Sequence, residues 1–272
     1  MEKARVMMVG DVMGDPGLEA LEQMLPPLIR ENAADFVVVN GENVAAGFGM
    51  TEALLQRILA AGADVVTGGN HIWEKREFWP VMDTENRVLR PANYPGGCSG
   101  RGHVKIKKAP ADGGPALSWI IINLQGRELM TPIDCPFKTF DSIINNQKPE
   151  PSDGGPPLVL VDFHAESSRE KEALGYYLDG RASLVAGTHT HVQTADERIL
   201  PRGTAYITDL GMTGVTDSII GMDPKICLDR ARNQVLYRME CAKPGPLGSA
   251  IRGILAEIET KTGKALSIKR IT

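Results

Sequence analysis

Four of the five histidines in this 272-residue chain stand in glycine-rich or acidic company, beside carboxylates and carboxamides that could share metal ions. Asp11 lies in Val9-Gly10-Asp11, and Glu42 and Asn43 lie in Asn40-Gly41-Glu42-Asn43. Asn70 and His71 lie in Gly68-Gly69-Asn70-His71, His164 in Asp162-Phe163-His164, and His189 and His191 in Gly187-Thr188-His189-Thr190-His191. This mixture suits hydrolysis at two adjacent cations. Two such ions repel each other, so they need a shared anionic oxygen, and Glu42 is the candidate. Imidazoles and carboxamides complete the shells without cancelling the Lewis acidity that makes hydroxide from water near neutral pH. Ions sharing a nucleophilic oxygen would lie roughly 3.5–4 Å apart. The fifth histidine, His103, is assigned no role.

Taken singly, each residue has a commoner reading. Asp11 could be a turn residue or helix cap, and Asn40-Gly41 a plain turn that leaves Glu42 solvated. Asn70 or His71 alone is more often structural, and His164 could be a satisfied core histidine. The joint pattern outweighs these readings because every segment follows or ends an apolar run that reads as a strand: 5–9, 36–39, 64–67, 158–163 and 184–186. In α/β sheets the ligand crevice lies beyond the carboxyl ends of the strands, so five segments would deliver donors to one edge. Gly10, Gly41, Gly69 and Gly187 read as small residues that let the backbone turn sharply there. His189 and His191, two apart in an extended segment, would point to the same side.

The elements that must position these groups alternate. Residues 18–31 carry Leu18, Leu21, Leu25, Leu28 and Ile29 at helical spacing, with Pro26-Pro27 expected to disturb the helix. Thr51 is placed to cap a helix bearing Leu54, Leu55, Ile58 and Leu59. Residues 103–108 and 117–124 flank a Pro/Gly-rich turn and read as a β-hairpin; 137–145 and 170–178 read as helices; 205–207 reads as a short strand. Residues 249–271 suggest a closing hairpin around Lys261-Thr262-Gly263-Lys264. The alternation argues for a layered α/β fold. The Pro/Gly/Ser-rich stretch 148–157 reads as a surface loop inside one domain, so 1–272 is expected to be a single unit.

Composition narrows the field. At 42 % hydrophobic residues the chain can build a full core without staples. A formal net charge of -4 with 24 % charged residues gives no basic field to grip a nucleic-acid duplex, so a small anionic substrate must be held by local charges. Cys98, Cys135, Cys227 and Cys241 form no C-x-x-C pair, which suits reduced thiols in a cytoplasmic protein. Val6-Met7-Met8-Val9 is too short for a signal peptide, and no apolar stretch approaches the roughly 20 residues of a membrane span. Oligomeric state is left open; a homo-oligomer is compatible with the sequence.

Gly-Asn-His, a later His, then Gly-Thr-His-Thr-His resembles the calcineurin-like metallophosphoesterase superfamily, and most closely its YmdB-like bacterial branch. The matching stretches also include Gly10 to Gly14, Asn40 to Ala45, Arg90-Pro91-Ala92-Asn93, Asp162 to Glu166, Asp179 to Ser183 and Thr208-Asp209. The likeness is highly specific up to about Met222 and weaker beyond. Met13 stands where the superfamily's first motif has histidine, and Glu42 where its second has aspartate. The resemblance implies an α/β sandwich of two mixed β-sheets flanked by helices. It implies that Glu42 bridges two metals, with Asp11, Asn43 and His191 on the first and Asn70, His164 and His189 on the second. His71 would be the catalytic group that protonates the leaving alkoxide or steadies phosphoryl charge. It further implies iron or manganese as cofactor, which the O/N-rich ligand set independently suits, and a phosphodiester substrate such as a 2′,3′-cyclic nucleotide. Phosphomonoester hydrolysis on the same site, or a regulatory metal-binding role, are the alternatives; a structural site would close its coordination shell, which this set does not. Arg90, Arg127 and Arg181 lie in the same motifs, but arginines there are more often solvated or paired with a neighbour such as Asp83 or Asp179.

Overall fold

The computed structural model describes residues 3–147 and 155–272, so most of the 148–157 loop lies outside the described residues. In chain order the elements are β1 (Lys3–Val9), β2 (Asp11–Val12), α1 (Gly14–Asn32), β3 (Phe36–Asn40), α2 (Glu52–Ala60), β4 (Val65–Thr67) and α3 (Trp79–Thr84). The middle holds β5 (His103–Lys108), β6 (Leu117–Gln125), α4 (Pro136–Asn145), β7 (Leu158–His164), α5 (Ser168–Leu178) and β8 (Leu184–Thr188). The last part holds β9 (Arg198–Ile199), β10 (Ala205–Ile207), β11 (Met212–Val215), α6 (Pro224–Asn233), β12 (Ser249–Ala250), β13 (Gly253–Glu259) and β14 (Ala265–Ile271).

The strands form two large mixed sheets. The first has the order β14-β13-β1-β3-β4, with β1, β3 and β4 parallel and β13 and β14 antiparallel. The second has the order β5-β6-β7-β8-β10-β9, parallel from β6 to β10 with antiparallel edges. Strand alternation sorts side chains into layers. In β1, Val6 and Met8 enter the core between the sheets, while Met7 and Val9 pack under α1 and α2. In β6, Trp119 and Ile121 face the first sheet, while Ile120, Ile122 and Leu124 pack under α4 and α5. Phe36 and Trp119 stack across the inter-sheet core with centroids 4.6 Å apart. The central strands are buried on both faces, which is why they read as unbroken apolar runs. The result is the sandwich of two mixed sheets flanked by helices.

Two expectations need correction. α1 starts at Gly14 and runs unbroken through Pro26-Pro27 to Asn32. The prolines remove the N–H groups that would bond the carbonyls of Glu22 and Gln23, but Leu18, Leu21 and Leu25 bury the helix's inner face and hold its course. A third sheet, β12-β11-β2, has no counterpart among the expected elements; in it Met212 pairs with Asp11. The helices α3 and α6 are likewise additions. Thr51 caps α2 as expected, its Oγ1 accepting from Leu54 N at 3.4 Å, and the closing hairpin is β13 against β14. No described helix is long and apolar enough to cross a membrane.

Candidate metal centre

Because β1, β3 and β4 run parallel, as do β7 and β8, the turns after them meet at one edge. Glu42 Oε1 lies 3.0 Å from His164 Nε2. The same Nε2 lies 3.1 Å from Asn70 Oδ1 and 3.0 Å from His189 Nδ1. On the other side, Asn43 Nδ2 lies 3.3 Å from Glu42 Oε1 and 3.2 Å from His191 Nε2, which is 3.8 Å from Asp11 Oδ1. All seven candidate ligands therefore meet, with Glu42 between His164, Asn70 and His189 on one side and Asn43, His191 and Asp11 on the other. Asp11, Glu42, Asn43 and His164 are buried.

Each imidazole has its outer nitrogen committed. The Thr188 hydroxyl gives its one proton to Asp162 Oδ1 at 2.7 Å, so it accepts from His164 Nδ1 at 3.0 Å. His164 Nε2 thereby faces inward, where it meets Glu42 Oε1 and can offer a lone pair once the ring is neutral. His189 Nε2 lies 3.3 Å from Glu166 Oε2, which turns Nδ1 inward. His191 Nδ1 donates to the Ile220 carbonyl at 2.8 Å, which turns Nε2 inward. Outer acceptors of this kind fix the tautomer of metal-binding histidines. Burial raises the Asp162 carboxyl to about 6, against the hydroxyls of Thr67 and Thr188, so it is mostly ionised at neutral pH.

The electrostatics are those of a site short of positive charge. Burial alone would raise the Glu42 carboxyl, but His164, followed by His71, holds it at about 2. Burial raises the Asp11 carboxyl, opposed by His191 and His164 and reinforced by Glu42 and Asp209. Burial would lower His164, yet Glu42, Asp11 and Asp162 raise it to about 9; burial and the charge on His164 lower His189 to about 3. Asp11 Oδ1 is buried without any hydrogen-bond partner. A dry carboxylate oxygen without a donor is expensive to keep unless a cation meets it. With the inward-facing His191 Nε2 3.8 Å from it and a set of oxygen and nitrogen donors around it, these residues fit divalent cations.

The two histidines of the His-Thr-His run converge by a different route from the expected one. Both lie in the left-handed region, with φ of 101° at His189 and 66° at His191, so extended alternation does not place them. Thr190 between them is pinned by Asp209 Oδ2, which accepts from its N at 3.2 Å and its Oγ1 at 2.8 Å. Asp209 in turn pairs at 2.6 Å with the buried Lys171. The four glycines also act differently from expectation. Gly10, Gly41, Gly69 and Gly187 all avoid positive φ, so close approach is the reason for them. A Cβ on Gly69 would strike the Glu42 carboxylate and the His164 ring, and one on Gly187 the Thr208 carbonyl.

His71 sits beside the cluster and does not enter it through its side chain. Its N–H donates to Glu42 Oε2 at 3.0 Å, its Nδ1 is 3.3 Å from Glu74 Oε1, and its ring meets Phe48 edge-on at 5.0 Å. Thr188, Glu166, Asp162, Asp209 and Lys171 support the site, although none of them was assigned a role from the sequence; all but Lys171 lie in the motif stretches singled out there. Lys171 left a signal: with Leu174, Gly175 and Leu178 it falls on the buried face of α5, where a lysine needs a buried partner. Arg181 is engaged by Asp141 at 2.6 Å, and Arg127 uses its backbone N–H on Glu170 at 2.9 Å.

Against known proteins, a family model described as YmdB-like protein matches residues 7–271, well past the stretch where the motifs are densest. A 2′,3′-cyclic-nucleotide 2′-phosphodiesterase from Bacillus subtilis (strain 168) is 42 % identical over 267 residues, covering 98 % of this chain and 96 % of that protein. A solved phosphatase structure from Mycoplasma pneumoniae matches with a TM-score of 0.89 at 30 % identity, covering 100 % of this chain and 93 % of that one. A hypothetical protein from Thermus thermophilus matches with a TM-score of 0.85 at 38 % identity over 98 % of both chains.

Proposed function

Because the chain belongs to the YmdB-like protein family, we propose that it hydrolyses small phosphodiesters, in particular the 2′,3′-cyclic phosphates of nucleotides. It is a phosphoesterase, and in this reading 1–272 acts as one unit around one metal site. The buried, partnerless Oδ1 of Asp11 beside inward-turned imidazoles carries the reading. Two ions, iron or manganese, would be held by Asp11, Glu42, Asn43 and His191 and by Glu42, Asn70, His164 and His189. In support, His191 lies beside Asn43 and Asp11, His189 and Asn70 lie beside His164, and Glu42 Oε1 faces both sets. When bound, such ions supply Lewis acidity and bring the pKa of water down to about 7.

The chain's own groups orient the reaction and move its proton. Glu42 fixes the His71 backbone, and Glu74 faces Nδ1, which leaves Nε2 as the atom that gives a proton to the departing oxygen. Opening a 2′,3′-cyclic phosphate expels a ribose alkoxide, which leaves poorly unless protonated, so a positioned acid contributes roughly 10²–10⁴ in rate.

The test is to strip the protein with chelator, reconstitute it with manganese or iron, and assay a substrate panel. The panel holds 2′,3′- and 3′,5′-cyclic nucleotides, a bis-aryl phosphate and an aryl monophosphate. The expected outcome is activity returning with about two equivalents of metal and fastest turnover on the 2′,3′-cyclic substrates. Preference for the aryl monophosphate would replace the diesterase reading with a monoesterase one, in keeping with the name of the Mycoplasma pneumoniae relative. Full activity with a single equivalent would overturn the paired site.

A further inference from the structure

A second concentration of charge lies away from the metal cluster, in a groove of about 600 Å³ between the β5 edge of the second sheet and α4. Arg90, Arg101, His103 and Lys138 line it against one carboxylate, Asp134, which is exposed. None of the proposed metal ligands lines it. In a chain of net charge -4 this is a local reversal of sign.

Arg90 is the anchor. It is only 9 % exposed. Its Nη1 donates to the carbonyls of Pro91 at 2.8 Å and Ala92 at 3.2 Å, while Nε is buried without an acceptor. The hydrogen-bond partners of its side chain among the described residues are these carbonyls and no carboxylate. Arg101 also has a buried Nε without an acceptor, and its Nη2 donates to the Asp83 carbonyl at 3.2 Å. The backbone holds the two side by side, Arg90 N donating to Arg101 O at 2.9 Å. Burial lowers the Arg90 guanidinium, and burial followed by the charge of Arg101 lowers the His103 imidazole. Carbonyl dipoles satisfy N–H groups but do not neutralise a buried cation, so among the described residues the cations lining the groove outnumber its one carboxylate, Asp134.

α4 adds donors. Cys135 provides no side-chain cap, the first turn holds no acid, and the first N–H to find an intrahelical acceptor is that of Thr139, on Cys135 O at 3.0 Å. The N–H groups of Phe137 and Lys138 are therefore helix-start donors without intrahelical partners, and of the two residues Lys138 lines the groove. Forked guanidinium groups and helix-start N–H groups together match an anion with several acceptor oxygens. The volume exceeds what inorganic phosphate fills and falls in the range of small-molecule sites.

We propose that this groove is a second anion site, distinct from the metal cluster, which takes a phosphate dianion, either free or carried by a nucleotide. The test is an NMR titration of the full chain loaded with diamagnetic zinc, using inorganic phosphate and, separately, adenosine 3′-monophosphate. The readouts are the amides of Phe137, Lys138 and Thr139 and the ring of His103, compared between the parent chain and the variants Lys138→Glu and Arg101→Gln. Saturable shifts at these positions are expected, with apparent affinity falling about tenfold in Lys138→Glu and hydrolytic rate unchanged. Anions meeting the metal cluster would shift His191 and His71 instead, and Lys138→Glu would leave those shifts alone. Equal binding of the two ligands assigns the site to the free anion. Tighter binding of the nucleotide, with shifts running along β5, assigns it to the nucleotide. The proposal is overturned if neither ligand shifts the α4 amides, or if both variants leave those shifts unaltered.

Discussion

The first sheet brings carboxylates and carboxamides to the proposed metal centre, and the second brings imidazoles. Asp11, Glu42, Asn43 and Asn70 all follow strands of the first sheet, whereas His164, His189 and His191 end or follow strands of the second. The two halves are held by different means. On the oxygen side, charge is the controlling quantity: Glu42 and Asp11 are dry carboxylates, and Asp11 Oδ1 has no hydrogen-bond donor. On the nitrogen side, proton direction is the controlling quantity: each ring must keep its proton on the outer nitrogen, and Thr188, Glu166 and Ile220 see to that. A dinuclear site assembled between two sheets thus needs an electrostatic half and a tautomeric half, and each fails in its own way.

The harshest break is Glu42→Gln. It removes the one charge that both proposed ions share, so metal content and activity should fall together, further than for any single change among the other ligands. Metal analysis with turnover on the same preparation checks this; two retained ions with near-normal rate would place the bridge elsewhere. Next is His71→Ala, which touches neither half. Both ions should stay, activity on cyclic nucleotides should drop by roughly 10²–10⁴, and activity on nitrophenyl esters should drop less, because nitrophenolate leaves without a proton. Equal losses on both substrates, or lost metal, would reduce His71 to a loop brace.

Thr188→Val tests the nitrogen half. It keeps the shape and removes the acceptor that fixes His164, so metal affinity should weaken by about 10–100-fold while the fold persists. Chelator competition measures it, with circular dichroism as the check on folding, and unchanged affinity would mean the His164 tautomer is set by something else. The mildest change is Glu166→Gln, since a carboxamide oxygen can still accept from His189 and the site is half-exposed. A loss of about twofold to fivefold in metal affinity is expected, below the range for buried partners. A loss as large as that of Thr188→Val would show that the charge of Glu166, and not its acceptor oxygen, does the orienting.

The unevenness of the two halves also explains what could be read from the sequence. Strands such as Phe36–Asn40 and Leu158–His164 are buried on both faces, so their apolar runs declare them, and the donors just beyond them could be gathered to one edge. Which strand pairs with which is not written in a run of valines; the resemblance implied two mixed sheets, and their strand order is seen only in the structure. β2 and β11, at two and four residues, are too short to carry a period, so the pairing that fixes Asp11 was invisible. Thr188 and Asp162 do their work through hydrogen bonds that give no periodicity. The kinked His-Thr-His segment depends on Lys171 and Asp209, which are distant in sequence and meet only after folding.

The pairing of β1 with β13, from Lys3 against Glu259 to Val9 against Gly253, has a consequence for biosynthesis. As the chain leaves the ribosome, β1 acquires its parallel neighbour β3 early, but its other edge stays open until residues 253–259 have been made. At roughly 5–20 residues per second, that leaves an apolar strand with unpaired N–H and C=O groups exposed for at least several seconds. Such an edge is a template for another nascent chain. A truncated chain lacking the β13–β14 hairpin would keep that edge open permanently, and its expected fate is aggregation.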